Sequence, residues 1–175
     1  MKMQIKKIVI ALGLTFMGPF GSAAITNPIL FVTQVPIPAD FCTLNSTFCN
    51  HKGAVSVTGR GGDLWRRYPD GTLKNLTAAA GFGKAGLQGG TAIQVRDPSV
   101  SWGGKKAIFR MVVGAPSQYQ VKQYLWQLYE VTGLGKNEVP VITKMPNQPA
   151  YNNVSPTYGT DGRIIFVSDR PCNGQ

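Results

Sequence analysis

Proline and glycine punctuate the chain at short intervals, and the stretches between them are short runs of apolar residues or of apolar and polar residues in alternation. The clearest runs lie at 29–35, 64–68, 107–113, 124–131, 139–143 and 164–168, and they are rich in Val, Ile, Phe, Tyr and Trp. Branched and aromatic side chains suit a pleated, half-buried surface, so each run predicts a strand and together they predict an all-β protein. One run carries a competing period: Val121, Tyr124, Leu125, Leu128 and Val131 also fall at helical spacing, with Gly133 placed as a C-cap. Its aromatic content and its place in the repeat described next favour a strand. The stretches 36–53 and 78–92 predict loops, the second rich in Ala and Gly.

The chain repeats itself. Pro98-Ser-Val-Ser-Trp-Gly-Gly-Lys-Lys-Ala-Ile-Phe109 aligns with Pro156-Thr-Tyr-Gly-Thr-Asp-Gly-Arg-Ile-Ile-Phe166 with one gap. The prolines are 58 residues apart, as are Gly104 and Gly162, whereas Phe109 and Phe166 are 57 apart. Each copy predicts a β-hairpin, in which a short strand reaches a glycine turn, a basic residue follows and an apolar strand returns. A second, looser pair is 64–77 and 128–143, strand, turn and strand, the first with Pro69-Asp70-Gly71 as its turn signal. Two hairpins make one four-stranded sheet, and such sheets packed radially make a propeller. The repeat-turn residues are Asp70, Gly71, Gly104, Asp161 and Gly162.

The N-terminus changes the compartment. Lys2, Lys6 and Lys7 precede an apolar run at 8–20 and the small residues Gly21, Ser22, Ala23 and Ala24, the order of a secretory signal peptide. The run is shorter than the ~20 residues a membrane-spanning helix needs. Cleavage after Ala24 is expected, with no stable membrane anchor afterwards and a periplasmic or otherwise exported mature chain at 25–175. Losing three lysines takes the net charge from +10 to +7. The remaining basic residues, among them Arg66, Arg96, Lys105, Arg110, Lys136 and Arg163, form no run of five, which reads as a solvated basic surface. Export argues against nucleic acid as the partner.

Two resemblances emerge from these motifs. Asp-Gly-Arg-Ile-Ile-Phe-Val-Ser-Asp-Arg at 161–170 resembles the repeat of Tol-system-type periplasmic β-propellers, with looser copies at 98–109 and 73–77. Pro28-Ile-Leu-Phe-Val-Thr-Gln-Val-Pro36, Gly61-Gly-Asp-Leu-Trp-Arg-Arg-Tyr-Pro-Asp-Gly-Thr72, Arg96-Asp-Pro-Ser-Val-Ser-Trp102 and Asn152-Asn-Val-Ser-Pro156 are similar to exported proteins related to the hydrazine synthase alpha subunit. The resemblance implies an incomplete propeller, two blades and the start of a third, from the N-terminal part of a longer protein. In some relatives such propellers join c-type haem domains. Cys49-Asn50-His51 supplies only one of the two cysteines that haem attachment requires, so no haem residue carries over and haem is expected only in a downstream region.

Chemistry is sparse. His51 is the only histidine. Cys42, Cys49 and His51 could ligate zinc, but the one-residue gap between Cys49 and His51 is unlike structural zinc spacings, and a disulfide fits an oxidising compartment better. Asp70 and Asp161 are accounted for by their turns, and Asp40, Asp63, Asp97, Glu130, Glu138 and Asp169 offer no marked pair for glycoside hydrolysis. Trp65, Trp102, Trp126, Tyr68, Tyr124 and Tyr129 could line a groove, but aromatics chiefly fill a thin β core. The expected function is an exported binding or assembly module without its own catalytic site or cofactor, its partner a protein or small polymer. The alternatives are a periplasmic redox-enzyme subunit and, more weakly, a carbohydrate-active hydrolase.

A Cys42–Cys49 bridge closes a short loop and should contribute ~2 to 3 kcal/mol by loop-closure entropy. Non-reducing peptide mapping should find the two cysteines linked and Cys172 outside that bridge; free alkylation of both in native protein would contradict it.

Overall fold

Alternation and turn chemistry produce three antiparallel sheets that follow one another along the chain. The computed structural model describes residues 25–34, 59–84, 90–115 and 124–172. The first sheet holds β1 (Ile29–Val32), β2 (Leu64–Arg67) and β3 (Leu73–Asn75). The second holds β4 (Ile93–Val100), β5 (Ala107–Val113), β6 (Gln127–Thr132) and β7 (Val141–Lys144). The third holds β8 (Asn153–Tyr158) and β9 (Ile164–Ser168). Within each sheet the strands lie in chain order. The leader, the 36–53 loop with Cys42, Cys49 and His51, and part of the 78–92 loop lie outside the described residues.

The all-β expectation holds, with two corrections. Leu73 to Thr77 is not one strand: β3 stops at Asn75, whose side-chain oxygen accepts from the Ala78 N–H at 2.9 Å and caps a single helical turn, α1 (Leu76–Ala79). That turn also takes Ala78 and Ala79 out of the expected loop. The first sheet, expected to have four strands, shows three among the described residues. The run with two competing periods is a strand, beginning at Gln127.

The hairpin repeat is visible atom by atom. In β4–β5 the register shifts between Arg96 and Ser99, and in β8–β9 between Val154 and Thr157. The extra residue is Asp97 in one copy, at φ 50°, and Ser155 in the other, at φ 52°. Both precede a proline, which a β-bulge accommodates because no ladder hydrogen bond is needed there. The gap in the sequence alignment lies in the turns. Gly159 N–H donates to Arg163 O across a three-residue loop, whereas Ser101 N–H donates to Lys106 O across a four-residue one. Gly104 and Gly162 hold φ 68° and 82° in these turns, as their glycine identity predicts.

The sheets stack face to face. On β5, Ala107, Phe109 and Met111 face the first sheet and pack with Leu64, Leu76, Leu30 and Val32, together with Ile93, Val95, Tyr129 and Val131. Ile108 faces the third sheet and packs with Leu128, Tyr158, Ile164 and Phe166. The period of two thus gives each side of the second sheet its own core. Every sheet has a front, turned toward the preceding sheet, and a back, turned toward the next.

Direction fixes the correspondence between sheets. All four hairpin turns lie at one end of the stack, and α1 and the 145–152 connection, which cross between sheets, lie at the other. Thr33, where β1 ends, bonds Asp63, and Gly61 N–H donates to Ile93 O where β4 begins, so β1 runs opposite to β4 and with β5. β1, β2 and β3 therefore correspond to β5, β6 and β7. The position that β4 fills in the second sheet holds no strand of the first sheet among the described residues.

Alanine at Gly104 or Gly162 would place a Cβ in open space, so each substitution should cost only the backbone term, about 1–2 kcal/mol. Gly133 has φ 69°, and its Cβ would collide with the backbone oxygen of Val139, so Gly133→Ala should cost clearly more. Urea melts of the three variants check the order.

Candidate functional site

Two regions concentrate polar chemistry: a buried layer between the second and third sheets, and a cleft among the hairpin turns.

The buried layer begins with the side chains on the back of the second sheet. Arg96 on β4 and Arg110 on β5 are 3% and 6% exposed and share the ring of the fully buried Trp126, at 5.8 and 4.6 Å from guanidinium carbon to ring centroid. Guanidinium groups are weakly hydrated planes that stack on an indole face, which lets them enter a core that would reject an ammonium. Asp97, turned inward by the bulge, lies 2.8 Å from Arg110 Nε in an ion-pair contact off the hydrogen-bond line. Its second link reaches the next repeat, where the Ser155 N–H donates to Asp97 Oδ2 at 3.3 Å. Ser99 and Thr157, also equivalent in the repeat, meet at 3.4 Å. Burial, with the like charge of Arg110 second, brings the Arg96 guanidinium down to about 10. Burial lowers Arg110 as well, against the opposing pull of Asp97.

The same junction has a second polar clasp toward the turns. Glu130 Oε2 accepts from the Tyr158 hydroxyl at 2.8 Å and lies 2.8 Å from Lys106 Nζ, whose ammonium stands 5.4 Å from the Tyr158 ring centroid. Burial, and then the hydrogen bond to Glu130, push the Tyr158 phenol above its ordinary range. Between these clasps lies the apolar strip of Ile108, Leu128, Ile164 and Phe166. At the crossover end, Asn152 Oδ1 accepts from the backbone N–H of Trp126 at 3.0 Å, and Gln148 bonds both the backbone N–H and the carbonyl of Leu128. Arg60, 5% exposed, donates from Nε to Gly114 O at 2.8 Å.

The cleft lies between the first and second sheets at the turn end. It measures about 780 Å³ and is lined by Arg66, Lys105, Thr132, Leu134, Glu138 and Val139, among others. Its wall is fixed from the first sheet, because Arg66 and Tyr68 both donate to Leu134 O, at 2.6 and 2.9 Å. Lys74 Nζ donates to the carbonyls of Gly135, Lys136 and Glu138. Lys136 in turn lies 2.5 Å from Asp70 Oδ2. That hydrogen bond, and then those from Thr72, draw the Asp70 carboxyl down to about 2.

Asp70, Gly71, Gly104, Asp161 and Gly162 lie in the turns between strands. Asp70 Oδ1 accepts from Thr72 N–H, and Asp161 Oδ1 accepts from Arg163 N–H, each at 3.0 Å, the same local turn in two repeats. Cys42 and Cys49 lie outside the described residues, and Cys172 is exposed and free. Trp126, Tyr68 and Tyr129 are core residues, whereas Trp102 is 80% exposed at the β4–β5 turn. The uniformly solvated basic surface needs correction, since Arg96 and Arg110 are buried. The signal was available: Arg110 sits inside the apolar run of β5, in step with Ile108 and Val112. Among the described residues no three His, Cys, Asp or Glu side chains gather as a metal site.

Asp97→Asn keeps a residue tolerated at positive φ but removes the carboxylate beside two buried guanidiniums. It should lower stability by about 1–3 kcal/mol, and Asp97→Ala by more, in urea melts with unchanged m values.

Comparison of the chain with protein-family models, with curated proteins and with solved structures finds no match.

Proposed function

We propose that the mature chain is an exported binding or assembly module built from β-propeller-type sheets, with the turn end as its binding surface. One observation carries this reading: four hairpin turns from three stacked sheets are held at one end, where the β4–β5 and β6–β7 turns and Arg66 line a cleft with the cations of Arg66 and Lys105. A rigid stack that presents variable turns at one end is a common way to fix a binding surface. The route of the chain supports the propeller part, because the last strand of the second sheet leads directly to the first strand of the third. The apolar and small-residue order at 8–24 supports export.

The partner fitted by this surface is a protein or small polymer with acidic groups, met by Lys105 and Arg66 and by the exposed apolar tips Trp102 and Val139, which are 80% and 76% exposed. Its recognition uses charge and apolar contact together, as interfaces with a few dominant aromatic and arginine contacts do.

The test uses the full chain expressed with its own leader, followed by fractionation and N-terminal sequencing. The exported fraction should begin at Ile25, and cross-linking in that fraction should yield complexes with other proteins that Lys105→Glu with Val139→Asp reduces at least tenfold while the thermal melt stays unchanged. Material that still begins at Met1, or cross-links to other proteins that are indifferent to the double substitution, would contradict the reading.

A further inference from the structure

The two outer faces of the stack are unlike, and each matches what the other lacks. At the junction of the second and third sheets, Ile108 on β5 is fully buried beneath the front of the third sheet. Its equivalent one repeat later, 57 residues on, is Ile165 on β9, which is 61% exposed. The neighbouring equivalent of Arg110 is Val167, also 61% exposed. The register pairs Val154 with Val167, adding a third apolar residue to that face. Sequence has kept the back of the third sheet apolar where nothing in the chain's described residues covers it.

At the opposite end of the stack the situation is reversed. Leu30 and Val32 point back into the core, so the alternation places Ile29 and Phe31 on the front of the first sheet. The register sets Trp65 opposite Phe31, and Arg67 opposite both Ile29 and Leu73, on the same face. Ile29 is 44% and Leu73 54% exposed. Inside the molecule, the front of each following sheet is seated on the back of the one before it, at both junctions. The only other front available to the exposed back of the third sheet, among the described residues, is that of the first.

We infer that the front of the first sheet in one copy of this chain docks on the back of the third sheet in a second copy, repeating the junction that joins the sheets within the chain. Ile29, Phe31, Trp65 and Leu73 would then cover Val154, Ile165 and Val167. The occupant is a second copy because this contact continues an interface already built twice in the fold, with the same strand direction and the same kind of apolar face. The contact is heterologous, since the two surfaces differ, and a heterologous contact propagates until a ring closes or a filament grows. It extends the assembly side of the proposed function and uses neither the turn-end cleft nor its cations.

Sedimentation velocity on the mature chain carrying Cys172→Ser, which removes thiol cross-linking, tests this. The weight-average mass should rise with protein concentration. Leu73→Asp blocks only the front and Val167→Asp only the back, and both sites are exposed, so each variant should keep its near-UV spectrum and sediment as a monomer. Mixed in equal amounts, the two variants should form a dimer and nothing larger, because each retains the one face that the other has lost. A parent chain that stays monomeric at 100-fold range of concentration would overturn the inference. So would association of either variant alone, which marks a like-on-like contact, or a mixture without dimers from a parent that associates. Lys105→Glu with Val139→Asp should leave sedimentation unchanged, so failure of the turn-end reading and failure of this one give different results.

Discussion

The second sheet must be covered on both faces, and the rest of the structure follows from that requirement. β5 runs from Ala107 to Val112 without an exposed residue, so its alternation separates two cores rather than a core from water. One set of side chains needs the first sheet and the other needs the third. Remove either neighbour and a row of large apolar groups meets solvent. Among the described residues, Ile29, Leu73, Ile165 and Val167 on the outer faces of the first and third sheets are in that state.

Polar groups decide how the covering sheets are placed. A purely apolar junction would let the third sheet slide along the second, because dispersion and hydrophobic burial have little direction. The Asp97–Ser155 and Ser99–Thr157 contacts join equivalent positions of successive repeats and so fix their offset. Arg96 and Arg110 are admitted to the interior by stacking on Trp126, and Asp97 offsets part of their charge. Lys106, Glu130 and Tyr158 close the other end of the same junction. The junction between the first and second sheets is tied differently, by side-chain donors of Arg66, Tyr68 and Lys74 on carbonyls of the β6–β7 loop. That tie also shapes the turn-end cleft, so the surface assigned to binding is a by-product of fastening one sheet to the next.

Much of this was legible in the residues because the strands that matter most carry unambiguous patterns. The runs at 107–113 and 164–168 coincide with β5 and β9, and the turns at Asp70, Gly71, Gly104, Asp161 and Gly162 follow from short-range sterics that a sequence displays directly. The first half of β4 was hidden, since Asp97-Pro98 looks like a turn and only the partner strand reveals that it is a bulge. α1 was hidden behind the same repeat that revealed the hairpins: reading 73–77 as a copy of a strand overrode the capping signal of Asn75. Burial of Arg96 was beyond local pattern, because the Trp126 face that admits it is 30 residues away in sequence. The cleft was equally inaccessible to sequence, being made of two loops of the second sheet and Arg66 of the first, held in contact by the long-range donors Arg66, Tyr68 and Lys74.

Native-state hydrogen exchange on the monomeric chain measures the central claim most directly, because amide protection reports how well each strand is covered. β5 and β9 occupy equivalent places in the repeat, yet among the described residues β5 is enclosed on both faces and paired on both edges, while β9 is covered on one face and paired on one edge. Amides of β5 should exchange only through global opening, at the limit set by total stability, and those of β9 should exchange at least a hundredfold faster by local opening. Equal protection of the two strands, or protection of β9 above β5, would contradict an account in which coverage of the second sheet holds the molecule together.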